Sequence, residues 1–565
     1  MTASRDDEAH ARRAPGKKRR RASTQLKGRQ VQPGALAEVR ALLGERPRRR
    51  DLLVEHLHLL QDATGRLYAR HLAALAQEMR LSLAEVWEVA TFYHNFDATT
   101  DDAPAPALTL RVCDSLSCAL AGSAALERDL AAAFPGAKVT HAACMGRCDR
   151  APVVRVGGRR YVERATVGAV REAAVLPDAP TLPAHEAFDA YRAGGGYRLL
   201  ADCHAGARGW EEIVKVLEDS GLRGLGGAGF PTGRKWCFVR AEPKPRLMAV
   251  NADESEPGTF KDRHYLLQAP HRFLEGMLLG AWAVEAEAVY VYLRDEYADV
   301  RALLEAELPK LARLGLNLPE LHLRRGAGAY ICGEESAMLE SIEGKRGLPR
   351  HKPPFPSQVG LFGRPTLINN VETLYWVRHL VERGPGWFTS QGRNGRKGLR
   401  SYSVSGRVRE PGVKLAPAGI STRELIDEFC GGMTEGHRLK GFLPGGASGG
   451  IFPTSMADLP LDFGAFEPHG GFIGSAAIIV LSDRDSAADA ALSLTRFFED
   501  ESCGQCTPCR VGTEKAVAAM RCGKWDRGLL ADLAQVMSDA SICGLGQAAA
   551  NPLRSALKHF PEDVP

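Results

Sequence analysis

The spacing of apolar residues predicts helices at the start of the chain. Between residues 36 and 96 the apolar side chains recur at helical spacing. The positions concerned are Leu52, Leu53, Leu57, Leu59, Leu60, Leu72, Leu75, Met79 and Leu83. This pattern predicts a helical bundle over residues 35–100.

A short module of strands follows a polar linker at residues 97–106. A strand is predicted at residues 107–112 and an alanine-rich helix at residues 123–134. Residues 153–156 and 161–162 flank Gly157-Gly158, which predicts a hairpin. We therefore expect a strand–helix–strand–strand module within residues 106–176.

Three further regions follow a second, proline-rich linker. Residues 184–395 alternate helices and strands, with a helix at 210–219 and strands at 247–250 and 288–293. Residues 396–483 contain short strands separated by glycine turns, which predicts a compact β-rich domain. Residues 484–565 are predicted to be helical.

Seven basic residues crowd positions 12–21 of a chain that has a small net charge of +5. Residues 1–34 lack periodicity, so they are predicted to form a disordered basic arm. A nucleic-acid arm is the alternative, but no recognition fold follows it. Paired arginines without an apolar segment do not make an export signal. No apolar run is long enough to span a membrane, so a cytoplasmic location is expected.

A cysteine cluster near the end of the chain is the strongest chemical signal. Cys503, Cys506 and Cys509 lie three residues apart, and Cys543 follows at a distance. Three thiolates in one short loop can hold neighbouring corners of an iron–sulfur cubane, which the fourth completes. A structural zinc site with four thiolates is the alternative.

A second group of four cysteines lies upstream. Cys113 and Cys118 form C-x4-C, while Cys144 and Cys148 form C-x3-C. Disulfides are the alternative to a metal centre, and a reducing compartment disfavours them. The scattered remainder are predicted to be buried free thiols, namely Cys203, Cys237, Cys332, Cys430 and Cys522.

A glycine loop at residues 221–230 contains G-x-G-x-x-G at Gly224, Gly226 and Gly229. Glycines allow a backbone to approach a ligand closely and to direct N–H groups at phosphate. The loop follows a predicted helix, whereas the dinucleotide fingerprint needs a strand. Arg223 and Lys235 nearby favour phosphate binding over a merely flexible loop.

Two further segments carry polar chemistry. Residues 251–263 follow a predicted strand with an amide and several acids, which suits a flavin, although an acidic turn is the alternative. Glu334 and Glu335 open a helix, and the proline-rich segment after them presents Lys352 and Phe355. A cation beside an aromatic ring suits a nucleotide, while structural proline turns are the alternative.

Together these motifs identify a resemblance. Residues 210–558 resemble the flavoprotein subunit that admits electrons from NADH into respiratory complex I, through GLRGLGGAGFPTGRKW, NADESEPGTFKDR, YICGEESAMLES, HKPPFP, INNVET and ESCGQCTPCRVGT in that order. Residues 51–162 resemble the smaller complex I partner, through ATFY at residues 90–93 and CMGRCDRAP at residues 144–152.

The fusion of both modules resembles the β subunit of NAD-dependent molybdenum- or tungsten-containing formate dehydrogenases. YRAGGGY at residues 191–197 and GRNGRKGLRSYSVSG at residues 392–406 favour that family. The diaphorase subunit of NAD-reducing hydrogenases is the second candidate, and the NADH-input subunit of complex I is a further one.

The resemblance implies a multidomain α+β and α/β fold. The implied order is a helical bundle, a thioredoxin-like [2Fe–2S] domain at 106–176, a Rossmann-like FMN- and NADH-binding domain at 184–395, a β-grasp-like domain at 396–483 and a C-terminal helical bundle with a [4Fe–4S] cluster at 484–565.

The resemblance also implies roles for matching residues. FMN positions are implied for Gly224, Gly226, Gly227, Lys235, Asn251, Asp253, Glu254, Asn369 and Asn370. The adenine end of NADH is implied at Phe230, Phe238, Lys352 and Phe355, and further cofactor contacts at Tyr330, Gly333 and Glu334. Glu256 and Glu335 are implied near the nicotinamide and flavin, with Glu335 as a positioning group. Cys503, Cys506, Cys509 and Cys543 match [4Fe–4S] ligands, and Cys113, Cys118, Cys144 and Cys148 match [2Fe–2S] ligands.

The implied function is reversible electron transfer between iron–sulfur clusters and NAD through FMN. The implied partner is a large α subunit with a molybdenum or tungsten pterin, a formate site and further clusters, with a small additional subunit as an option. No nucleic-acid partner is expected. The alternative from another class is an iron–sulfur electron carrier without flavin.

Overall fold

A computed structural model describes residues 29–100, 102–180 and 182–565. Most of the predicted basic arm, residues 1–28, lies outside the described residues. None of the helices in the described part of the chain has the length and apolar character needed to cross a membrane.

Four helices form the N-terminal helical bundle, as the apolar spacing predicts. Ser82 begins the last of them with a capping box, in which its hydroxyl and the Glu85 side chain satisfy each other's backbone N–H groups. Two very short strands pair in parallel beside the helices. The elements are α1 (Pro33–Leu43), α2 (Leu53–Thr64), β1 (Leu67–Tyr68), α3 (Ala69–Met79), α4 (Leu83–Phe92) and β2 (Ala98–Thr99).

A four-stranded sheet, called the small sheet here, follows. Its elements are β3 (Thr109–Cys113), α5 (Leu116–Leu120), α6 (Ser123–Ala133), β4 (Lys138–Ala142), β5 (Val153–Val156), β6 (Arg160–Glu163) and α7 (Val167–Ala174). The order is β4-β3-β5-β6, with β4 parallel to β3 and the other pairs antiparallel. The strand–helix–strand–strand prediction was wrong by one strand, because β4 is a polar edge strand without a buried alternating face.

The parallel sheet is the centre of the molecule. Its order is β10-β7-β8-β9 and every pair is parallel, so all four carboxyl ends meet at one edge. The elements are α8 (Phe188–Ala193), α9 (Arg198–His204), α10 (Trp210–Ser220), α11 (Thr232–Ala241), β7 (Arg246–Ala252), α12 (Lys261–Gln268), α13 (Pro270–Val284), β8 (Ala286–Leu293), α14 (Ala298–Glu307), β9 (Glu320–Arg325), α15 (Glu335–Ile342), β10 (Thr366–Asn370), α16 (Val371–Arg383) and α17 (Pro385–Thr389).

A five-stranded mixed sheet follows, in the order β12-β11-β15-β13-β14. Strand β15 pairs in parallel with β11 and antiparallel with β13. The elements are β11 (Leu399–Gly406), β12 (Gly412–Pro417), α18 (Thr422–Glu424), β13 (Leu439–Leu443), β14 (Phe452–Pro453) and β15 (Ala477–Ser482).

The C-terminal helices carry the last cysteine cluster. They are α19 (Ala487–Asp500), α20 (Thr507–Arg521), α21 (Arg527–Ala540), α22 (Gly544–Ala548) and α23 (Asn551–His559). One thiol prediction was wrong here, because Cys522 follows the end of α20 and is exposed. Cys237 is half-buried, whereas Cys203, Cys332 and Cys430 are buried as predicted.

Candidate functional site

A cavity of about 330 Å³ opens at the carboxyl edge of the parallel sheet. Side chains and glycines from distant parts of the sequence line it, and many belong to the predicted cofactor set. The predicted residues that line it are Gly226, Gly227, Asn251, Asp253, Glu254, Glu256, Tyr330, Gly333, Glu334 and Asn370. We call it the flavin cavity, after the ligand that these residues predict.

The glycine loop connects α10 to α11 at the mouth of this cavity. The Gly224 N–H donates to the Phe230 carbonyl at 2.8 Å, which closes the loop on itself. Gly227 has a φ of 128°, and a Cβ there would meet no atom within 4 Å, so it would project into open space. At Gly226 a Cβ would lie only 3.0 Å from that of Asn370. The loop therefore forms an open backbone cradle of the kind that phosphate needs.

The segment after β7 supplies the polar wall. Asn251 Nδ2 donates to the Gly333 carbonyl at 2.8 Å, and its Oδ1 accepts from the Asp253 N–H at 3.0 Å. Burial raises the pKa of Asp253 to about 7. Ser255 Oγ is buried without a hydrogen-bond partner. An orphaned hydroxyl in a polar cavity fits a ligand with hydrogen-bonding edges, such as FMN.

Glu254 is held mainly by its own protein. Its carboxylate accepts from the backbone N–H groups of Asp262 and Arg263 at 2.7 and 3.1 Å, and from Tyr297 Oη at 3.0 Å. Burial, with the nearby Asp262 charge, raises the pKa of Glu254 to about 8. These contacts fix the start of α12 behind the cavity.

Glu256 joins two parts of the cavity wall. One carboxylate oxygen accepts from both the N–H and the hydroxyl of Ser448 at 2.7 Å, and the other accepts from the Tyr330 hydroxyl. Burial raises the pKa of Glu256 above its ordinary value. The carboxylate therefore connects the mixed sheet to the parallel sheet beside the place predicted for the flavin.

The two adjacent carboxylates of the sequence prediction share Lys352 but differ in their other partners. Glu334 precedes α15 and accepts from the N–H groups of Ser336 and Ala337. Lys352 Nζ lies 2.8 Å from both Glu334 and Glu335, and Lys235 Nζ lies 3.5 Å from Glu335. Burial alone would raise the pKa of Glu335, but the two lysines outweigh it and lower the pKa.

Three exposed aromatic rings lie on predicted NADH positions. Phe230, Phe238 and Phe355 are 40%, 48% and 52% exposed, although large apolar side chains are usually buried. The Phe230 and Phe238 rings are 6.1 Å apart, and the Arg234 guanidinium lies 5.8 Å from the Phe238 ring. Exposed rings beside a cation provide a stacking surface for an adenine.

Several predicted residues lie outside the cavity wall. Asn369 Oδ1 accepts from Trp236 Nε1 at 2.9 Å, and Lys235 Nζ donates to the Ile368 carbonyl at 3.1 Å. These contacts give both side chains structural partners. Gly224, Glu335, Lys352 and the aromatic rings are likewise not part of the wall.

The structure adds cavity residues that sequence reasoning missed. Lys261 and Asp262 line it and pair at 2.8 Å, and their presence in the NADESEPGTFKDR motif was a usable signal. Ser448 lies in a glycine-rich turn after β13, and Gly544 follows the cysteine Cys543. No local pattern indicates that these last two residues reach the flavin cavity.

The four upstream thiols come together beside this site. Cys144 and Cys148 Sγ lie 3.3 Å apart. Hydrogen bonds from the neighbouring thiols Cys113 and Cys148 lower the pKa of Cys144 well below its ordinary value. All four thiols are buried. A compact set of four thiols fits the ligand requirement of a [2Fe–2S] cluster.

The four C-terminal thiols lie around the starts of two helices. Cys506 precedes α20 and Cys543 precedes α22, so both are next to free backbone N–H groups. Burial raises the pKa of Cys509 to about 12, and the charges of Cys506, Cys543 and Cys503 add to this effect. Four thiols at one place fit a [4Fe–4S] cluster, and Gly544 and Leu545 connect that place to the flavin cavity. Within residues 29–100, 102–180 and 182–565, no three His, Cys, Asp or Glu side chains are placed to hold a single metal ion.

Comparison with protein families finds three matching regions along the chain. Residues 39–174 match the thioredoxin-like [2Fe-2S] ferredoxin family, and residues 217–379 match the Nuo51 FMN-binding domain. Residues 489–565 match the NADH-ubiquinone oxidoreductase-F iron-sulfur binding region.

Individual relatives extend this result. The chain is 44% identical over 395 residues to an F-type subunit of the NADH-quinone oxidoreductase of Rhizobium meliloti (strain 1021), covering 67% of this chain and 94% of the relative. It is 41% identical to the F-type subunit of the NADH-quinone oxidoreductase of Mycobacterium bovis, covering 68% and 90%. A chain of the NAD+-reducing [NiFe]-hydrogenase in the H2-reduced state superposes with a TM-score of 0.80 at 33% identity, covering 92% of this chain and 93% of that one.

The sequence match covers 94% and 90% of these two oxidoreductase relatives. The matching family regions include the glycine loop, the segment at residues 251–262 and both thiol sets. The chain therefore belongs to the family of F-type NADH-quinone oxidoreductase subunits, as a fused complex I-type flavoprotein whose cofactors are FMN, NAD(H), a [4Fe–4S] cluster and a [2Fe–2S] cluster.

Proposed function

We propose that this chain is the diaphorase subunit of an NAD-dependent formate dehydrogenase, and that it passes electrons in either direction between NAD(H) and its iron–sulfur clusters. One observation carries the electron-transfer part of the proposal. The flavin cavity is lined both by the predicted flavin segment at residues 251–262 and by Gly544, which directly follows the cluster cysteine Cys543.

The chemistry that FMN supplies when bound is the conversion between a two-electron hydride and the single electrons that iron–sulfur clusters accept. The protein provides binding and orientation. The glycine cradle at Gly226 and Gly227 would hold the phosphate, and Asn251 and Asp253 would contact the polar part of the ring. The open rings of Phe230 and Phe238 would receive the adenine of NADH.

Glu335 would position the nucleotide indirectly. It pairs with Lys352 and Lys235, and their charges keep its carboxylate ionised at neutral pH. An ionised carboxylate between two ammonium groups is a poor proton carrier but a firm anchor for both cations.

The identity of the partner is inferred from sequence motifs and from one structural match. The fused arrangement and the motifs at residues 191–197 and 392–406 support formate dehydrogenase. The hydrogenase diaphorase is the second candidate, because the NAD+-reducing [NiFe]-hydrogenase chain matches over 92% of this chain. In either case the large partner subunit would carry the substrate site.

The test compares the isolated chain with the assembled complex. We expect the isolated chain to reduce ferricyanide with NADH and to show no formate-dependent dye reduction. The complex purified from its native host should reduce NAD+ with formate and not with H2. If the complex reduced NAD+ with H2 and not with formate, it would be a hydrogenase and not a formate dehydrogenase. If the isolated chain held no flavin, the proposed electron transfer itself would be refuted.

A further inference from the structure

Arg294 lies at the centre of the contacts between the small sheet and the flavin cavity. It directly follows β8 at the carboxyl edge of the parallel sheet and is only 4% exposed. Its Nη2 donates to the Cys144 carbonyl at 2.5 Å, and its Nη1 donates to the Glu254 carbonyl at 2.5 Å. One guanidinium thus binds the backbone of a predicted [2Fe–2S] ligand, Cys144, and the backbone of Glu254 in the wall of the flavin cavity.

The third nitrogen of the Arg294 guanidinium contacts an acid. Nε lies 3.1 Å from Glu296 Oε2, and Glu296 also accepts from Asn95 Nδ2 at 3.2 Å. A guanidinium remains protonated at any pH that the protein survives, so this position is a fixed buried positive charge.

A second cavity of about 380 Å³ adjoins this arginine. Arg294, Cys144 and Glu296 line it, and it shares Asp253 and Tyr330 with the flavin cavity. The arginine therefore lines a cavity that contains Cys144 of the upstream thiol set and that shares wall residues with the flavin cavity.

We propose that Arg294 is a positioning residue that fixes the Cys144 loop against the flavin wall and, through its charge, raises the reduction potential of the [2Fe–2S] cluster. This proposal rests on the four-thiol assignment in the proposed function. It assigns a role to a side chain that belongs to none of the sequence motifs.

The expected effect of Arg294 on the cluster is electrostatic. Reduction adds one electron to the cluster, from NADH or a chemical reductant, and no bond forms or breaks. The added negative charge is stabilised by a cation held nearby in a medium of low dielectric constant. Hydrogen bonding and local charge are established controls of cluster potential. The fork geometry keeps that charge at a constant distance from the cluster loop.

The test is an EPR-monitored redox titration of the purified chain with its cofactors, comparing the Arg294→Gln and Arg294→Lys variants with the wild type. Removal of the charge in Arg294→Gln should lower the reduced-to-oxidised ratio at a fixed potential by about tenfold, a shift of about 59 mV for a one-electron couple. Arg294→Lys keeps the charge and should restore most of the shift. Iron and FMN contents are measured on the same samples.

Glu296→Gln gives an independent test with the opposite sign. It retains a hydrogen-bonding oxygen but removes the negative charge beside Arg294, so the potential should rise. This variant decides the question if Arg294→Gln fails to retain its cluster. The matched control is Lys138→Gln, which removes a half-exposed positive charge from the same cavity and should cause a smaller shift.

Unchanged potentials in Arg294→Gln and Glu296→Gln would overturn the proposal. If Arg294→Gln and Arg294→Lys lowered the reduction potential equally, the electrostatic part of the proposal would be overturned, because the change in geometry alone would then explain the shift. If the wild type itself showed no two-iron EPR signal, the failure would lie in the assignment of the four thiols.

Discussion

Glu334 and Glu335 are neighbours with different roles in the structure. Glu334 caps α15 through two backbone N–H groups, so its loss should weaken the helix start. Glu335 contacts Lys235 and Lys352 and makes no comparable backbone contact. The functional effect of a substitution should therefore be cleaner at Glu335.

We expect Glu335→Gln to weaken NADH binding while FMN stays bound. The neutral amide would remove the ion pair of Lys235 and one of the two ion pairs of Lys352, whose pair with Glu334 remains, so the apparent Kd for NADH should rise severalfold. Stopped-flow flavin reduction across a range of NADH concentrations measures this change. Glu340→Gln is the control, because Glu340 lies on the same helix and pairs with Arg350 and Lys345 instead. Identical kinetics of flavin reduction in the wild type and in Glu335→Gln would show that Glu335 does not position the nucleotide.

A pH dependence follows from Asp253. Its pKa is raised from an ordinary 3.8 to about 7. Between about pH 4 and pH 7 the carboxyl is therefore protonated in the folded state and ionised in the unfolded state. Stability should therefore fall as pH rises from about 4 to about 7. In the chain freed of FMN, Asp253→Asn should make the difference in Tm between pH 5.5 and pH 7.5 smaller.

The control for this pH effect is Asp532→Asn, an exposed position on α21. It should leave the pH dependence as it is in the wild type. If Asp253→Asn kept the wild-type dependence of Tm on pH, that dependence would come from other buried acids of the flavin cavity. Glu254, whose pKa is raised to about 8, is one of them.

At the residue scale, short local motifs could be read from the sequence, and their roles in cofactor binding stay predictions. Residues of segment 251–256 and of the glycine loop line one cavity. The sequence did not indicate that the Asn369 side chain accepts a hydrogen bond from Trp236, because the direction of a side chain depends on tertiary packing. Exposure of Cys522 likewise depends on where α20 ends against its neighbours.

At the scale of elements, an ionic network ties the small sheet and the N-terminal helical bundle to the parallel sheet. Asp295 pairs with Arg155 at 3.2 Å and with Arg325 at 2.6 Å. Arg325 and Arg159 both pair with Asp62, at 2.8 and 3.0 Å. These charges come from β5, the hairpin turn, the end of β9 and α2, so the network fixes three units at one point.

We expect Asp295→Asn to destabilise this junction strongly. Asp295 is buried, and breaking a buried pair by removing one partner costs about 3–5 kcal/mol because the other charges remain. The variant should show a lower Tm and faster proteolysis at residues 175–187. Asp189→Asn is the control, since its pair with Arg313 is exposed and should matter little. Equal stability of wild type and Asp295→Asn would mean that apolar packing alone holds the junction.

Elements were predicted well where periodicity is strong and poorly where a strand is polar. The helix at residues 210–219 and the hairpin around Gly157 appear nearly as expected. Strand β4 was missed because backbone hydrogen bonds to the parallel strand β3 hold it in place, and these bonds leave no apolar pattern in the sequence. The order of strands within each sheet depends on long-range pairing and could not be inferred from spacing.

At the scale of the whole molecule, the flavin cavity is built by three regions that are far apart in sequence. The parallel sheet supplies Asn251, the mixed sheet supplies Ser448, and the C-terminal helices supply Gly544. Motifs predicted the first contribution, but the other two arise only when the regions pack together. The same packing places the C-terminal thiols next to the cavity, which suggests a decisive experiment.

We expect Cys506→Ser to leave FMN reducible by NADH but to block electron transfer onward to the partner subunit. The glycine loop and Asn251 belong to the parallel-sheet region, so FMN content should stay near that of the wild type. The loss of a thiolate at the start of α20 should remove the [4Fe–4S] cluster, through which single electrons leave the flavin. Flavin reduction by stopped flow, iron content and NAD+ reduction by the assembled complex are measured together. Cys522→Ser is the control, because this exposed thiol lies at the other end of α20 and should have no effect. Near-normal turnover in a flavin-loaded Cys506→Ser complex would show that electrons follow another route.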